Sequence, residues 1–367
     1  MLSTVFTLLA AASAASGTYI LTDDLSSKSF FRAFNFFTGP DPTNGFVQYQ
    51  DLRGALAHSL ISYKANSSSI YLGVDSITKD PKGRASLRLE SKKTWNHGLL
   101  IADIAHMPAS TCGSWPAFWM LGKEAWPVGG EIDILEGVNE QDTNAVTLHT
   151  SKGCIVNNAT DLRGGLGETD NVATAFTGFM KSDDCDIAAA DQLKNVGCSI
   201  RAPQVLPASA IGAQMGSTSS SLFPSYGTDF NKANGGIYAM EWTSTFISVW
   251  FFPFNSPIYN SLTSLTSTSP STSPDPTKFG PPLAHFTGSS CDFPARFKDL
   301  RIIFNTSFCG QWAGKEWDSS CKAKTGVSTC EQYVREHPEA FEGSFWEVRG
   351  LRWYEQRGGK KGRWDRR

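Results

Sequence analysis

The sequence lacks an excess of charge of either sign, and after residue 16 it lacks any long apolar run. Its 33 basic and 35 acidic side chains among 367 residues leave a formal net charge of −2. This balance gives no electrostatic reason to expect nucleic acid or an anionic membrane as a partner. No later segment is long and apolar enough to form a membrane-spanning helix. The composition therefore fits a protein that acts on a neutral partner.

The paired Cys-x-x-Cys spacing of zinc sites is missing as well. An even number of cysteines, eight, is typical of disulfides formed in an oxidising compartment. We therefore predict disulfides, and we expect neither a metal nor a cofactor. Eight cysteines allow 105 pairings, so the sequence leaves the connectivity open. The cysteines are Cys112, Cys154, Cys185, Cys198, Cys291, Cys309, Cys321 and Cys330.

The first sixteen residues, MLSTVFTLLAAASAAS, run from an apolar stretch into small residues, although no Lys or Arg precedes them. This layout is typical of a signal peptide, and we expect cleavage between Ala14 and Gly17. Three Asn-x-Ser/Thr sequons, at Asn66, Asn158 and Asn305, agree with passage through a glycosylating compartment. We therefore expect a secreted, extracellular protein.

Many short runs rich in β-branched and aromatic residues lie between residues 27 and 254, and turn residues separate them. Examples are SIYLGV, ASLRLES, GLLIADIAHM, EIDILEGV, AVTLHT, GIYAMEW and FISVWFF. Short strands at this density, without long helical periodicity between them, predict an all-β sandwich or a related barrel.

The later part of the chain changes composition twice. Residues 261–276, SLTSLTSTSPSTSPDP, form a Ser/Thr/Pro tract that we expect to be a solvated loop, because it has little to bury. The tract could be an interdomain linker. However, the strand-like RIIFN and FWEVRGLRWY beyond it are too few for a second all-β domain. We therefore predict one domain over 17–354 with an inserted loop, a short helix at EQYVREHPEAF, and a disordered basic tail over 355–367.

Three acids interrupt an otherwise aliphatic run, at Glu131, Asp133 and Glu136. On a helix, Glu131 and Glu136 would point about 140° apart. On a regular strand, Glu131 and Asp133 share a face and Glu136 points to the other. One extra residue, a β-bulge, would return Glu136 to that face, and bulges are frequent beside active sites. The spacing therefore predicts a bulged strand that presents all three acids together.

Such a strand suits a particular chemistry. With one residue absorbed by the bulge, the Cα atoms of Glu131 and Glu136 would lie roughly 13 Å apart. Side chains leaning inward could bring the carboxyls to about 5 Å, the separation of a retaining glycosidase. Asp133 between them would add like charge and raise the proton affinity of its neighbours. The alternatives are a solvent-facing acidic strand or a calcium site, but the intervening residues are all aliphatic.

These motifs resemble glycoside hydrolase family 16. The GEIDILEG run resembles the family's ExDxxE active-site strand in its bulged form. HMPASTCGSWPAFWMLG, TLHTSKGC and GGIYAMEWTSTFISVWFFP are similar to its fungal endo-1,3(4)-β-glucanases, or laminarinases, over about residues 34–354. The resemblance implies a β-jelly-roll sandwich with a concave substrate cleft. It also implies Glu131 as nucleophile, Glu136 as general acid/base and Asp133 as an assisting residue.

A β-glucan of the laminarin or lichenan type is the implied partner, bound by a protein that we expect to be a monomer. Sugar chains present apolar faces and a rim of hydroxyls, so aromatic platforms and a few hydrogen-bonding groups should line the cleft. The candidates for substrate binding are Trp115, Trp119, His149, Trp242, Arg88, Glu90 and Tyr49. Several of the aromatic residues could instead belong to the core.

The sequence departs from the family where Phe254 stands in place of a usual Arg, just before the Ser/Thr/Pro tract. We expect this region to border one end of the cleft and to affect substrate preference there. Three other functions remain open: a non-catalytic glucan-binding protein, a β-glucan transglycosylase, and an adhesion protein. The first would lack the two glutamates that this chain keeps, the second would use the same carboxylates, and the third would leave the acidic strand without a purpose.

Overall fold

The computed structural model describes residues 19–66, 68–79, 82–157, 176–206, 222–265 and 273–356. The predicted signal peptide over 1–16, the sequon at Asn158 and residues 357–367 lie outside them. None of the helices in these ranges has the length and apolar composition of a membrane-spanning segment.

Strands dominate the described residues, as the short β-branched runs predicted. In chain order they are β1 (Tyr19–Asp24), β2 (Phe34–Phe36), β3 (Val47–Tyr49), β4 (Ile61–Lys64), β5 (Ser69–Leu72), β6 (Arg84–Ser86), β7 (Arg88–Ser91), β8 (Gly98–His106), β9 (Ser114–Gly122), β10 (Glu131–Glu136), β11 (Ala145–His149), β12 (Phe179–Ser182), β13 (Cys198–Arg201), β14 (Gly236–Trp242), β15 (Phe246–Pro253), β16 (Ala284–Thr287), β17 (Leu300–Phe308) and β18 (Trp346–Gln356). The last strand includes Glu355 and Gln356, so the predicted disordered tail was wrong at these two residues.

Helices are short and lie between the strands. The α-helices are Phe30–Ala33, Leu52–Ala57, Gly227–Lys232, Pro257–Thr263, Phe293–Arg296, Trp317–Ser320, Lys322–Thr325 and Cys330–Glu336; 3-10 turns cover Ser27–Ser29, Pro276–Lys278 and Pro338–Phe341, and a π-helical turn covers Gly310–Gly314. The helix predicted at EQYVREHPEAF is confirmed as Cys330–Glu336, with the 3-10 turn after it.

Two large antiparallel sheets pack face to face. The front sheet has the order β12-β13-β11-β10-β9-β17-β7-β2. The back sheet has the order β16-β15-β14-β8-β18-β5-β4, with β1 paired to β18. A separate pair, β3 with β6, is parallel. The predicted all-β sandwich is confirmed.

The main core fills the space between the two sheets. Phe118, Ile132 and Phe304 enter it from the front sheet, and Met240 and Trp353 enter it from the back sheet, each 1% exposed or less. Because side chains alternate along a strand, the neighbours of these residues point to the outer faces of the sandwich. The outer face of the front sheet and the outer face of the back sheet are therefore separate surfaces.

A second apolar cluster covers the outer face of the back sheet. The helix Pro257–Thr263 places Tyr259 and Leu262 against Trp250 and Phe279 there, and Phe254 packs at the edge of the same cluster. The predicted Ser/Thr/Pro loop was therefore wrong at its start, because Leu262 is 3% exposed within a helix. Residues 266–272 of that tract lie outside the described residues. Phe254 contacts Tyr259 at a ring separation of 5.0 Å, and its predicted effect on one end of the cleft stays a prediction.

Four disulfides join all eight cysteines, as predicted, and no free cysteine remains. They are Cys112–Cys321, Cys154–Cys291, Cys185–Cys198 and Cys309–Cys330. The first and the last lie in a third apolar cluster with Trp317, Val334 and Phe341. This cluster fixes the segment after β17 against the start of β9.

Candidate active site

Strand β10 carries the predicted bulge. Asp133 lies opposite Thr147 of β11 and Glu136 lies opposite Ala145, so two residues of β10 face only one of β11. The extra residue returns Glu136 to the face that Glu131 and Asp133 share, which is the outer face of the front sheet. The two residues inside the bulge, Ile134 and Leu135, are both buried in the core.

Asn144 occupies the position that makes the bulge possible. A bulge leaves backbone groups without their ladder partners, and buried groups of this kind need another partner. The Asn144 side-chain oxygen accepts a hydrogen bond from the backbone N–H of Glu136, and its amide nitrogen donates to the carbonyl of Ile134, both at 2.8 Å. Asn144 is fully buried. One side chain therefore satisfies both sides of the bulge and fixes the backbone that carries Glu136.

The carboxyl groups of β10 form a tight cluster with a histidine. Single ligand atoms of Glu131, Asp133 and His149 all lie within 4.8 Å of one another, a spacing that a cation could bridge. Asp133 Oδ2 lies 3.4 Å from His149 Nε2, and the Asp133 side chain is 3% exposed. Glu131 and Glu136 are less buried and stand at the surface of the sheet.

Burial raises the pKa of each of these carboxyls to about 8. For Glu131 and Glu136 the charge of Asp133 is the second cause of that rise. His149 lowers the pKa of both glutamates, together with Trp126 on Glu131 and with a hydrogen bond from Trp115 on Glu136. Because like charges oppose each other's ionisation, the three groups lose their protons in steps. The cluster therefore keeps at least one proton near neutral pH.

Aromatic groups contact the two glutamates from opposite ends of β10. Trp115 Nε1 donates to Glu136 Oε1 at 2.8 Å. The Trp115 ring meets that of Trp312, from the disulfide-linked segment after β17, edge to face at 5.7 Å. At the other end, Trp126 lies close enough to Glu131 to lower its pKa and leaves 44% of its surface exposed.

A charged network lies on β7 and β17, to one side of the carboxyls. Glu90 pairs with Arg88 and with Arg301, each at 2.9 Å. The Arg88 guanidinium lies 5.0 Å from the centre of the Trp119 ring. Trp119 Nε1 in turn donates to Asn305 Oδ1 at 2.7 Å. These contacts hold the polar side chains of this side in fixed positions.

A family model described as "XgeA-like, catalytic GH16 domain" matches residues 34–354. The chain belongs to glycoside hydrolase family 16. The resemblance found in its sequence motifs is thereby confirmed.

Two curated family 16 relatives are similar along most of this chain. The endo-1,3(4)-β-glucanase of Arthroderma benhamiae is 40% identical over 344 residues, covering 93% of this chain and 66% of the relative. The endo-1,3(4)-β-glucanase xgeA of Emericella nidulans is 37% identical over 348 residues, covering 93% of this chain and 48% of the relative. This chain therefore spans between about half and two thirds of the length of these proteins.

Two solved family 16 structures share its fold. An elongating β-1,3-glucosyltransferase is 37% identical with a TM-score of 0.72, covering 92% of this chain and all of that one. Laminarinase 16A from Phanerochaete chrysosporium, with β-glucans in donor and acceptor sites, is 33% identical with a TM-score of 0.73 and the same coverage. The predicted jelly-roll sandwich is confirmed.

Five of the seven predicted binding residues lie on the face of the front sheet that carries the family 16 carboxyls. Four of them are Trp115 and Trp119 on β9, and Arg88 and Glu90 on β7. The fifth, His149, lies opposite Glu131. Their predicted contacts with substrate remain predictions.

The other two have different positions. Tyr49 is 6% exposed and reaches the network only through its hydroxyl, which accepts from Asn305 Nδ2 at 3.3 Å. The prediction for Trp242 was wrong. It is fully buried on β14 of the back sheet and contacts His97 edge to face at 5.2 Å, so it cannot contact substrate.

Sequence reasoning missed Trp126, Asn144, Trp312 and Asn305. Trp126 stands five residues before Glu131, and that closeness was an available signal. Asn144 and Trp312 act through contacts across strands, which no local pattern reveals. Asn305 was interpreted only as a glycosylation sequon, yet it is 9% exposed with its amide bonded to Trp119 and Tyr49. A glycan on Asn305 is therefore incompatible with this fold.

Proposed function

We propose that the chain is a secreted retaining endo-β-glucanase that hydrolyses internal β-1,3 and mixed β-1,3/1,4 bonds. The observation that carries the proposal is the bulged strand, which brings Glu131, Asp133 and Glu136 to one face beside a wall of aromatic and charged groups. A retaining glycosidase needs two carboxyl groups on one face of its site. The names of the two curated relatives support the substrate class.

In the proposed first step, a Glu131 carboxylate oxygen bonds to the anomeric carbon while the glycosidic C–O bond breaks. The bonding electrons leave with the glycosidic oxygen, which takes a proton from Glu136. In the second step, Glu136 removes a proton from water, the water oxygen bonds to the anomeric carbon, and Glu131 is released as a carboxylate. Trp115 orients Glu136 through its hydrogen bond in both steps.

The raised pKa of Glu136 supports its role as the general acid. A general acid must hold its proton at the working pH, and burial together with the charge of Asp133 keeps a proton on Glu136 to higher pH. The pKa of Glu131 is raised to about 8 as well, mainly by burial, so its role as the nucleophile is supported by its place in the strand motif of the family. Because the coupled carboxyls lose their protons in steps, activity should be highest where Glu131 is ionised while Glu136 still holds its proton, and it should fall at lower and at higher pH.

The likeness to an elongating β-1,3-glucosyltransferase supports transglycosylation as a second candidate activity. The same glycosyl-enzyme would then pass its sugar to another glucan instead of water. A single catalytic domain over 17–354 and an extracellular location remain part of the proposal. The four disulfides support the extracellular location.

Product analysis on laminarin and lichenan tests the proposed function. Proton NMR of early products should show the β-anomer first, and chromatography should show a range of oligosaccharides instead of glucose alone. Elongated products at high substrate concentration would favour the transferase. An initial α-anomer would contradict the retaining mechanism, and absence of turnover on both glucans would contradict the substrate class.

A further inference from the structure

One row of residues crosses the outer face of the front sheet at the level of Glu136. Glu136 lies opposite Ala145 of β11, Ala145 opposite Arg201 of β13, and Arg201 opposite Phe179 of β12. Residues directly opposite each other in antiparallel strands point to the same face. Met180, the next residue on β12, packs against the main core. Phe179 therefore shares a face with the catalytic carboxyls, at the far edge of the sheet.

Phe179 is unusual for its exposure. It leaves 59% of its surface exposed, although a ring of this size is normally buried. Beside it, Arg201 is half-buried, and its Nη1 donates to the carbonyl and to the hydroxyl of Thr143 at 3.3 and 3.2 Å. An exposed ring next to an anchored guanidinium combines an apolar platform with hydrogen-bond donors, as sugar sites require.

The side chains on the surface between Phe179 and β10 are short. Ala145, Thr147 and Ser199 are small side chains on the same face of β11 and β13. Three strand spacings of about 4.8 Å separate β12 from β10, so the ring lies roughly 14 Å from the catalytic strand. A single sugar unit cannot span that distance, but an oligosaccharide can.

The two sides of β10 differ in how firmly they can hold a sugar. The side of β9, β17 and β7 carries the paired charges Arg88, Glu90 and Arg301 with Trp119. Fixed polar groups suit the sugar that becomes covalently attached, because its position must be exact when the bond forms. Among the described residues, the side of β12 carries the small residues, Arg201 and the Phe179 ring, without a paired network of charges like that of Glu90. This sparse side suits the portion that leaves and is exchanged.

We propose that Phe179, with Arg201, forms a sugar-binding platform for the leaving-group and acceptor portion of a β-glucan chain. This inference rests on the proposed function of the same site. A chain bound on the platform places a sugar hydroxyl beside Glu136 in the second step. That hydroxyl competes with water for the glycosyl-enzyme, so the platform raises the share of transfer over hydrolysis at high glucan concentration.

The test compares substrates that do and do not reach the platform. For Phe179→Ala, kcat/KM on laminarin should fall about five- to tenfold, the loss expected for one ring contact. Nitrophenol release from 4-nitrophenyl β-laminaritrioside, whose sugars all lie on the donor side, should stay within about twofold of wild type. The proportion of elongated products should fall as well. Phe179→Trp should restore the laminarin rate and the proportion of elongated products, and Ile20→Ala, which changes an exposed apolar residue on β1 of the back sheet, is the matched control.

Two outcomes would overturn the platform. They are equal losses on laminarin and on the aryl substrate, and an unchanged laminarin rate with an unchanged product pattern. Calorimetric titration of laminarihexaose into Glu131→Ala, with and without Phe179→Ala, measures binding without turnover. If the wild type cleaves no glucan but the second substitution still weakens laminarihexaose binding about fivefold, the platform stands and the hydrolase proposal fails.

Discussion

The two outer faces of the sandwich are both formed by antiparallel strands, but they differ in the side chains that they carry. On the back sheet, the outer face carries Trp250 and Phe252 under the helix Pro257–Thr263, and the acid Glu241 accepts a hydrogen bond from Tyr19. On the front sheet, the outer face keeps three acids close together without a covering helix among the described residues. The comparison shows that this fold can hold three neighbouring acids on one outer face. The packing of the rest of the molecule offsets the cost of keeping those acids close together.

The largest expected effect is the difference in activity between variants at Glu131 and at Glu241. Both are partly buried glutamates with a raised pKa, and they lie on opposite outer faces of the sandwich. Glu131→Ala should reduce kcat on laminarin by at least about a thousandfold, because no covalent intermediate can form. Added azide should rescue turnover and give an α-configured glycosyl azide. Glu241→Gln should remain within about twofold of wild type. If Glu131→Ala kept activity within about tenfold, its assignment as nucleophile would have to be abandoned.

A second contrast uses two tryptophans that the sequence did not distinguish. Trp242→Ala should lower the free energy of unfolding by about 3–5 kcal/mol, because it empties a large buried volume. Trp119→Ala should lower it by about 1–2 kcal/mol and instead reduce kcat/KM, since its ring stands on the exposed side. Urea denaturation and laminarin kinetics on both variants measure the two effects. A Trp242 variant with normal stability and a raised KM would contradict its position in the core.

How much the sequence could predict differs between these two faces. The strands, the bulge at Glu131–Glu136 and the aromatic residues of β9 followed from local patterns, because each depends on neighbours in the chain. Trp242 could not be placed, because the back-sheet strands are apolar on both faces and alternation no longer distinguishes the inside from the outside. The roles of Asn144 and Phe179 depend on which residues lie opposite them on other strands. The register between distant segments cannot be predicted from local spacing.

A third, smaller effect concerns pH. The pKa of Asp133 is raised to about 8 by burial, so the folded protein binds more protons than the unfolded chain between about pH 4 and pH 8. The stability contributed by protonated Asp133 is complete below that range and is lost as the pH rises through it. Asp133→Asn should therefore raise Tm by a few degrees at pH 8 and by less at pH 4. Its loss of activity should be milder than that of Glu131→Ala, with a shifted pH profile.

Asp103, on the outer face of the back sheet, supplies the comparison for that prediction. Burial raises its pKa as well, but Arg349 at 2.8 Å acts in the opposite direction, so Asp103→Asn removes a charged partner and should raise Tm at pH 8 less than Asp133→Asn does. Thermal scans of both variants at pH 4, 6 and 8 compare the two acids. The same change in Tm for both variants at every pH would show that Asp133 is no less satisfied than Asp103.

The smallest effect is expected in the Ser/Thr/Pro tract. Replacing residues 266–272 by a Gly/Ser segment of equal length should change Tm by less than about 2 °C, because the contacts of Leu262 are kept. Leu262→Ala should lower the free energy of unfolding by about 2–3 kcal/mol, because that side chain is 3% exposed on the back sheet. Neither change should alter laminarin turnover by more than about twofold. A loss of activity on replacing 266–272 would mean that the tract reaches the front sheet after all.

The disulfide Cys112–Cys321 joins residues that are 209 positions apart, and Cys309–Cys330 lies beside it. Together they bring Trp312 against Trp115 at the Glu136 end of the site. A ribosome releases the catalytic strand long before it releases Trp312, so an unfinished polypeptide contains every acid of the site without this end of it. The assembly of that end therefore depends on translation through Trp312 and on the oxidation of four thiols. The site is complete only after both have occurred.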